Sequence, residues 1–256
     1  MIYGFIGTGT ITEAIVTGAL SSSLPIAKIV VSPRNTEIST RLAARFSEVE
    51  IASSNQVVVD ASDVLVFAIR PQVAEAVLKD LSIPKGQRVI SLIAATSHEK
   101  LAAWTGLEIG NFVRAVPLPF VAVRDGVTAI FPPDEGAERL FNALGRAAPC
   151  TSKDEFDLLA ALTALMGTYF GILERTSDWL AHKGMDDAMA RNYLTPLFSG
   201  LANAAGRSPD SGYAKLREDF STKGGLNEQV FEDFDTKGGT EALIKALDRV
   251  LERVKR

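Results

Sequence analysis

The first residues able to do chemistry are Gly7, Thr8, Gly9 and Thr10, which follow the apolar run Met1–Ile6. A diphosphate approaches a backbone only where side chains are absent, and the amides that open a helix are unpaired donors at the positive end of its dipole. Gly7 and Gly9 supply the turn and the approach, so Gly7, Thr8, Gly9, Thr10 and Ile11 are read as a dinucleotide-binding loop. The third position of the G-x-G-x-x-G/A pattern is Thr12. It is small enough for close packing, and Ile11, Ala14, Ile15 and Gly18 share the helical face that would meet a sheet.

A site selective for NAD places an acidic residue about 20 residues past the glycines to bind the ribose hydroxyl. Here that region reads Ser32-Pro33-Arg34-Asn35. Arg34 offers a 2′-phosphate a charge-assisted contact, and Ser32 and Asn35 add hydrogen bonds. The expected cofactor is NADP(H), favoured over NAD(H).

A second glycine pair stands near the other end, in Thr222-Lys223-Gly224-Gly225-Leu226-Asn227. Leu226, Val230, Phe231 and Phe234 share a helical face, which puts Gly224 and Gly225 at a helix N-terminus with open amides. A small carboxylate suits such a place, with Lys223 adding charge or Asn227 donating a hydrogen bond.

The elements that would position these loops follow from periodicity. Strand-like runs at 28–32, 64–69, 88–93, 112–116 and 127–131 follow the N-terminal strand, mostly separated by helical stretches. The near-continuous apolar Val64–Ile69 argues for a parallel sheet covered on both faces. The last two runs are compatible with an antiparallel pair. From Lys153 the period becomes 3.6, with Leu158, Leu162, Leu165, Met166, Tyr169 and Leu173 on one stripe, and further helices are expected at 186–205, 210–220, 227–234 and 239–254. The expectation is an α/β chain: a Rossmann-type doubly wound sheet over 1–152 and an all-helical domain over 153–256. A helix so apolar around its circumference needs burial on several sides, which points to a subunit interface and a homodimer through the helical domain.

Composition excludes several classes. The net charge of −4 offers nucleic acid no basic field. Cys150 is the one cysteine, so no intrachain disulfide forms, and a buried, unreactive thiol is expected. His98 and His182 lack partners at ligand spacing and are read as surface residues, with no metal site. The uncharged stretch Leu158–Leu173, 16 residues, falls short of a membrane span, and the chain opens on a strand with no secretory signal. A cytoplasmic location is expected.

Along nearly its whole length the chain resembles the pyrroline-5-carboxylate reductase family. Gly7-Thr8-Gly9-Thr10-Ile11-Thr12-Glu13-Ala14-Ile15 is similar to the family's G-x-G-N-M-A-E-A-I, and Phe67-Ala68-Ile69-Arg70-Pro71-Gln72 to its A-V-K-P-Q. Val89–Ser97 is similar to V-I-S-L-x-A-G-x-S, Val113-Arg114-Ala115-Val116-Pro117 to V-R-x-M-P, and Leu162–Gly167 to L-T-A-L-S-G. The resemblance implies that Ala68, Ile69, Arg70, Pro71 and Ala94 lie beside the cofactor. Glu174, Lys223 and Asn227 become the candidate catalytic residues, and Thr222, Gly224, Gly225, Leu226 and Pro117 the candidate substrate contacts. The implied reaction is hydride transfer from NADPH to the C=N carbon of a small cyclic imine acid, protonated beforehand.

The chain departs from the family where substrate would sit. Leu118-Pro119 replaces Asn-Thr-Pro, the stretch after Gly167 is about four residues shorter by alignment, and the family's S-P-G-G-T-T becomes Thr222–Asn227. Two other readings therefore stand beside the first. One is an NADP-dependent dehydrogenase or imine reductase of another substrate class, of which the dehydrogenase would need Lys223 as its acid and the imine reductase would not. The other is a non-catalytic NADP-binding protein.

Overall fold

The computed structural model describes residues 1–255. The chain divides into two compact units, Met1–Ala161 together with the chain from Leu251, and Leu162–Val250.

The first unit is built on one eight-stranded sheet: β1 (Ile2–Ile6), β2 (Lys28–Val31), β3 (Val49–Ile51), β4 (Val64–Phe67), β5 (Arg88–Ser91), β6 (Phe112–Val116), β7 (Gly126–Phe131) and β8 (Gly145–Pro149). Their order is β3-β2-β1-β4-β5-β6-β7-β8. β6 and β7 run antiparallel, with Arg114 opposite Phe131, and the other neighbours pair parallel. The chain winds outward from β1 in both directions, which leaves a crevice beyond the carboxyl ends of β1 and β4, where open α/β sheets bind ligands.

Alternation along the strands divides the core into two layers. Tyr3, Phe5, Ile29, Val31, Val66 and Ile90 pack on one face against α1 (Thr10–Leu20), α2 (Thr36–Arg45) and α6 (Glu135–Ala143). Ile6, Val30, Leu65, Phe67 and Val89 pack on the other against α3 (Asn55–Ala61), α4 (Pro71–Lys79) and α5 (His98–Thr105). Burial on both faces is what the unbroken apolar runs require.

β3 and β8 were not among the expected strands. β3 has three residues, and β8 reads Gly-Arg-Ala-Ala-Pro, with no β-branched or aromatic side chain to signal a strand. Pairing with β7 makes β8 a strand, and Gly145 is required there. A Cβ on it would stand 2.2 Å from the Gly126 carbonyl oxygen.

α7 (Lys153–Leu162) starts at a capping box. The Ser152 hydroxyl accepts from the Glu155 amide at 3.1 Å, and the Glu155 carboxylate accepts from the Thr151 amide at 2.7 Å and its hydroxyl at 3.0 Å. The sequence changes period here, yet α7 packs with the sheet unit through buried Phe156 and Asp157. Asp157 pairs with Lys153 and lies 3.7 Å from the buried Arg114 of β6, whose guanidinium also stacks on Phe156.

The helical unit contains α8 (Leu165–His182), α9 (Asp187–Gly206), α10 (Tyr213–Asp219), α11 (Leu226–Thr236) and most of α12 (Gly239–Lys255). The single apolar helix expected from Lys153 is interrupted at Thr163–Ala164, between α7 and α8. Counted through that break, Lys153–His182 is long and apolar enough to cross a membrane by length and composition alone, while the structure divides it into α7 and α8. In this chain α8 buries no residue, and Phe170, Trp179, Met189, Tyr193 and Leu226 are exposed.

Candidate active site

The Gly7–Gly9 loop leaves β1 at the sheet's point of reversal. Gly7 has φ +104°, and a Cβ there would stand 2.5 Å from the Ala68 carbonyl oxygen and 2.7 Å from Ile69 Cγ2. Only glycine fits, and the fold thereby brings the loop against Ala68 and Ile69 at the end of β4. Gly9, the N-cap of α1, has nothing within 4 Å of where its Cβ would be. The first-turn amides of α1 follow directly, and helix geometry leaves them without intrahelical partners.

Neighbouring hydroxyls hold the loop. Ser32, buried at the end of β2, accepts from the Gly7 amide at 2.9 Å, and its carbonyl accepts from the Thr8 hydroxyl at 2.7 Å. The fully buried Thr12 donates its hydroxyl to the Gly7 carbonyl at 2.7 Å. The departure from a third glycine therefore gives the turn an additional tie.

These contacts change the roles expected around β2. The Ser32 hydroxyl is engaged within the protein, and Asn35 caps α2, accepting from the Ile38 amide at 3.4 Å. Arg34 is exposed and, among the described residues, makes no ion pair, so it alone of the three presents a free charge. Glu13, in the first turn of α1, would oppose an anion, but Arg41 of α2 binds both its oxygens at 2.7 and 3.0 Å. That bond holds the Glu13 carboxyl below its ordinary range. Sequence reasoning missed this pair, because its partners are 28 residues apart.

Other expected cofactor contacts also lie at carboxyl ends of strands. Ala68 and Ile69 follow β4, and Arg70 is the N-cap of α4 with Pro71 at its first position. Exposed Ala94 follows β5, its carbonyl accepting from the Thr96 hydroxyl at 3.1 Å. Pro117 follows β6 and is half-buried. A cavity of about 590 Å³, lined by Tyr3, Asp63, Arg88, Asp134 and Arg139, opens at the opposite, amino end of the strands.

His98 is corrected from surface to core. It is 7% exposed, packs edge-on to Phe131 at 5.5 Å, and its Nε2 has no hydrogen-bond partner. Burial, reinforced by the Arg114 charge, moves its pKa below 6.5. The Cys150 thiol is buried, and desolvation raises its pKa. Among the described residues, no cluster of three or more His, Cys, Asp or Glu could hold a metal.

In the helical unit, the paired glycines lie where expected but their amides are not open. The Gly225 amide donates to the Thr222 carbonyl at 2.7 Å, and the Gly224 amide donates to Glu228 Oε2 at 2.5 Å. Asn227 Nδ2 donates to the Phe220 carbonyl at 2.7 Å, which turns that side chain back onto its own loop. Lys223 is exposed and, among the described residues, makes no ion pair. Leu226 is exposed. Glu174 lies on a different element, exposed on α8, and lines a cavity of about 560 Å³ with Tyr169, Asp178, Asp187 and Arg191. Arg191 was not foreseen, since it comes from α9.

Residues 2–95 match the family described as NADP oxidoreductase coenzyme F420-dependent, and residues 154–256 match pyrroline-5-carboxylate reductase dimerisation. A pyrroline-5-carboxylate reductase of Haemophilus influenzae is 26% identical over 264 residues, covering 98% of this chain and 96% of the relative. Over nearly its whole length the chain is similar to pyrroline-5-carboxylate reductases. A solved pyrroline-5-carboxylate reductase from Coxiella burnetii is 25% identical, with a TM-score of 0.82, over 99% of this chain and 97% of the other. The Plasmodium falciparum pyrroline carboxylate reductase, solved with NADP bound, shares the fold at 18% identity and a TM-score of 0.84, covering 100% and 97% of the two chains. The first glycine loop stands at the sheet's point of reversal with open space beside Gly9, whereas the Gly224 and Gly225 amides of the second are engaged within the protein.

Proposed function

We propose that the protein is an NADPH-dependent reductase of a small cyclic imine carboxylate, pyrroline-5-carboxylate or a close analogue, giving proline or the corresponding ring. The observation that carries the reading is the open space over Gly9 beside the α1 amides, in a chain whose relatives are pyrroline-5-carboxylate reductases along nearly their full length. The nicotinamide nucleotide supplies the hydride.

The chain's own residues bind and orient. Amides of the α1 first turn face the diphosphate, with Gly7, Thr8, Thr10 and Ile11 shaping the loop, and Arg34 contacts the 2′-phosphate, which favours NADP over NAD. Ala68–Pro71 and Ala94 border the same crevice. The Thr222–Asn227 loop contacts substrate. Lys223 adds positive charge for the carboxylate, and Glu174 stabilises the protonated imine, which accepts hydride better than the neutral form.

The dinucleotide domain is assigned to 1–152 and the helical domain to 153–256. A second copy of the chain covers the exposed apolar surface of the helical domain, so the working unit is a homodimer. The match of 154–256 to a dimerisation family supports this.

An absorbance assay of NADPH with a panel of cyclic imines and keto acids tests the reading. Oxidation with a five-membered imine carboxylate and none with keto acids is expected. Turnover of keto acids alone would assign Lys223 the acid's role in a dehydrogenase, and turnover of neither would leave a nucleotide-binding protein without this chemistry.

A further inference from the structure

The Gly224 amide, offered by the sequence as a place for a substrate carboxylate, already carries a carboxylate of this chain. Glu228 Oε2 lies 2.5 Å from Gly224 N, reaching back one turn from the start of α11. The neighbouring Gly225 amide is closed by the Thr222 carbonyl, so Gly224 is the loop amide that faces an anion. Glu228 takes it in preference to Lys223, with which it makes no ion pair among the described residues. Its place in the first turn of α11 also sets the negative charge where the helix dipole favours it.

We propose that Glu228 is a specificity-determining residue of the substrate pocket. It is an internal carboxylate that must release the Gly224 amide before a substrate carboxylate binds. The proposal rests on the reading of this loop as the carboxylate site. Displacement loses a charge-assisted hydrogen bond and brings two carboxylates to one set of donors, so imines bearing a carboxylate bind less tightly than the amides alone would allow. An imine without one leaves Glu228 in place. A local cap by Glu228 is the simpler role, and it predicts the opposite response to loss of charge.

Glu228→Gln separates the two, since glutamine keeps an acceptor for Gly224 and removes the charge. In the full-length protein, KM for pyrroline-5-carboxylate is expected to fall roughly tenfold, with the change on KM rather than kcat. KM for the same ring lacking its carboxylate should not move. An unchanged or raised KM for the carboxylate-bearing imine overturns the proposal, as does an equal fall for both.

If the parent protein reduces neither imine, the functional reading fails, and calorimetry with proline as the probe still decides Glu228. Roughly tenfold tighter proline binding by Glu228→Gln than by the parent supports the proposal, and equal, weaker or undetectable binding overturns it. Glu228→Ala, measured alongside, guards against a glutamine that misfolds the loop. It should tighten proline as well, whereas a cap would lose both stability and affinity.

Discussion

The Gly7–Gly9 and Gly224–Gly225 loops use the same parts in reverse. Each has one glycine at positive φ, +104° at Gly7 and +71° at Gly224, and each has a second that caps a helix. In the first loop the left-handed glycine is boxed in by the Ala68 carbonyl and the capping glycine faces open space. In the second, the left-handed glycine is open, and a Cβ on the capping glycine would stand 2.7 Å from the Thr222 carbonyl oxygen. The first loop is held by hydroxyls from another strand and its own helix, and the second by a carboxylate from its own helix. The sheet-anchored loop engages its Gly7 amide with another strand and leaves space at its capping glycine, whereas the self-contained loop satisfies its amides within itself.

The sharpest way to break this contrast is alanine at the two glycines of the first loop. Gly7→Ala combines a left-handed backbone with a contact against backbone, and a loss of about 2–4 kcal/mol in denaturant unfolding is expected, with nucleotide binding abolished. Gly9→Ala should leave unfolding within about 1 kcal/mol of the parent, because extended backbone accepts alanine and nothing occupies the space. Its nucleotide Kd should nevertheless rise roughly tenfold or more, as the methyl group meets the diphosphate. Equal unfolding losses at both positions would show that the two glycines do not divide the work.

Arg34→Ala comes next. It should weaken NADPH roughly tenfold and leave NADH unchanged, measured by calorimetry. In the second loop, Gly225→Ala should raise KM for the imine several-fold by pushing the turn away from Thr222, and an unaltered KM would separate this loop from the carboxylate.

The smallest effect belongs to the core of the sheet unit. His98 has a pKa below its ordinary 6.5 when folded, so the unfolded chain takes up a proton that the folded chain refuses. The stability it supports is complete above about pH 6.5 and declines as pH falls from there through the folded value. The thermal midpoint should drop by roughly 2–4 °C for each kcal/mol lost, and His98→Gln should flatten that part of the profile.

The sheet and both glycine loops were legible because their signals are local. Continuous apolar runs marked the central strands, and paired glycines marked the turns. β3 and β8 escaped because short or small-residue strands are made by their neighbours rather than by their own side chains. The burial of His98 depends on Phe131 and Arg114, which arrive from other strands.

At the candidate site, the positions of Ser32 and Asn35 were legible and the directions of their side chains were not. Ser32 turned inward to hold Gly7, and Asn35 turned to cap α2. The engagement of Gly224 did have a local signal, an acid four residues on, which the search for open amides passed over. The break at Thr163–Ala164 lies inside a run whose apolar periodicity gives no warning of it.

Calorimetric titration of the purified protein with NADPH and with NADH tests the central claim most directly. The account predicts saturable binding of both through the amides over Gly9, with NADPH the tighter by roughly tenfold through Arg34. Absence of binding by either nucleotide would contradict it.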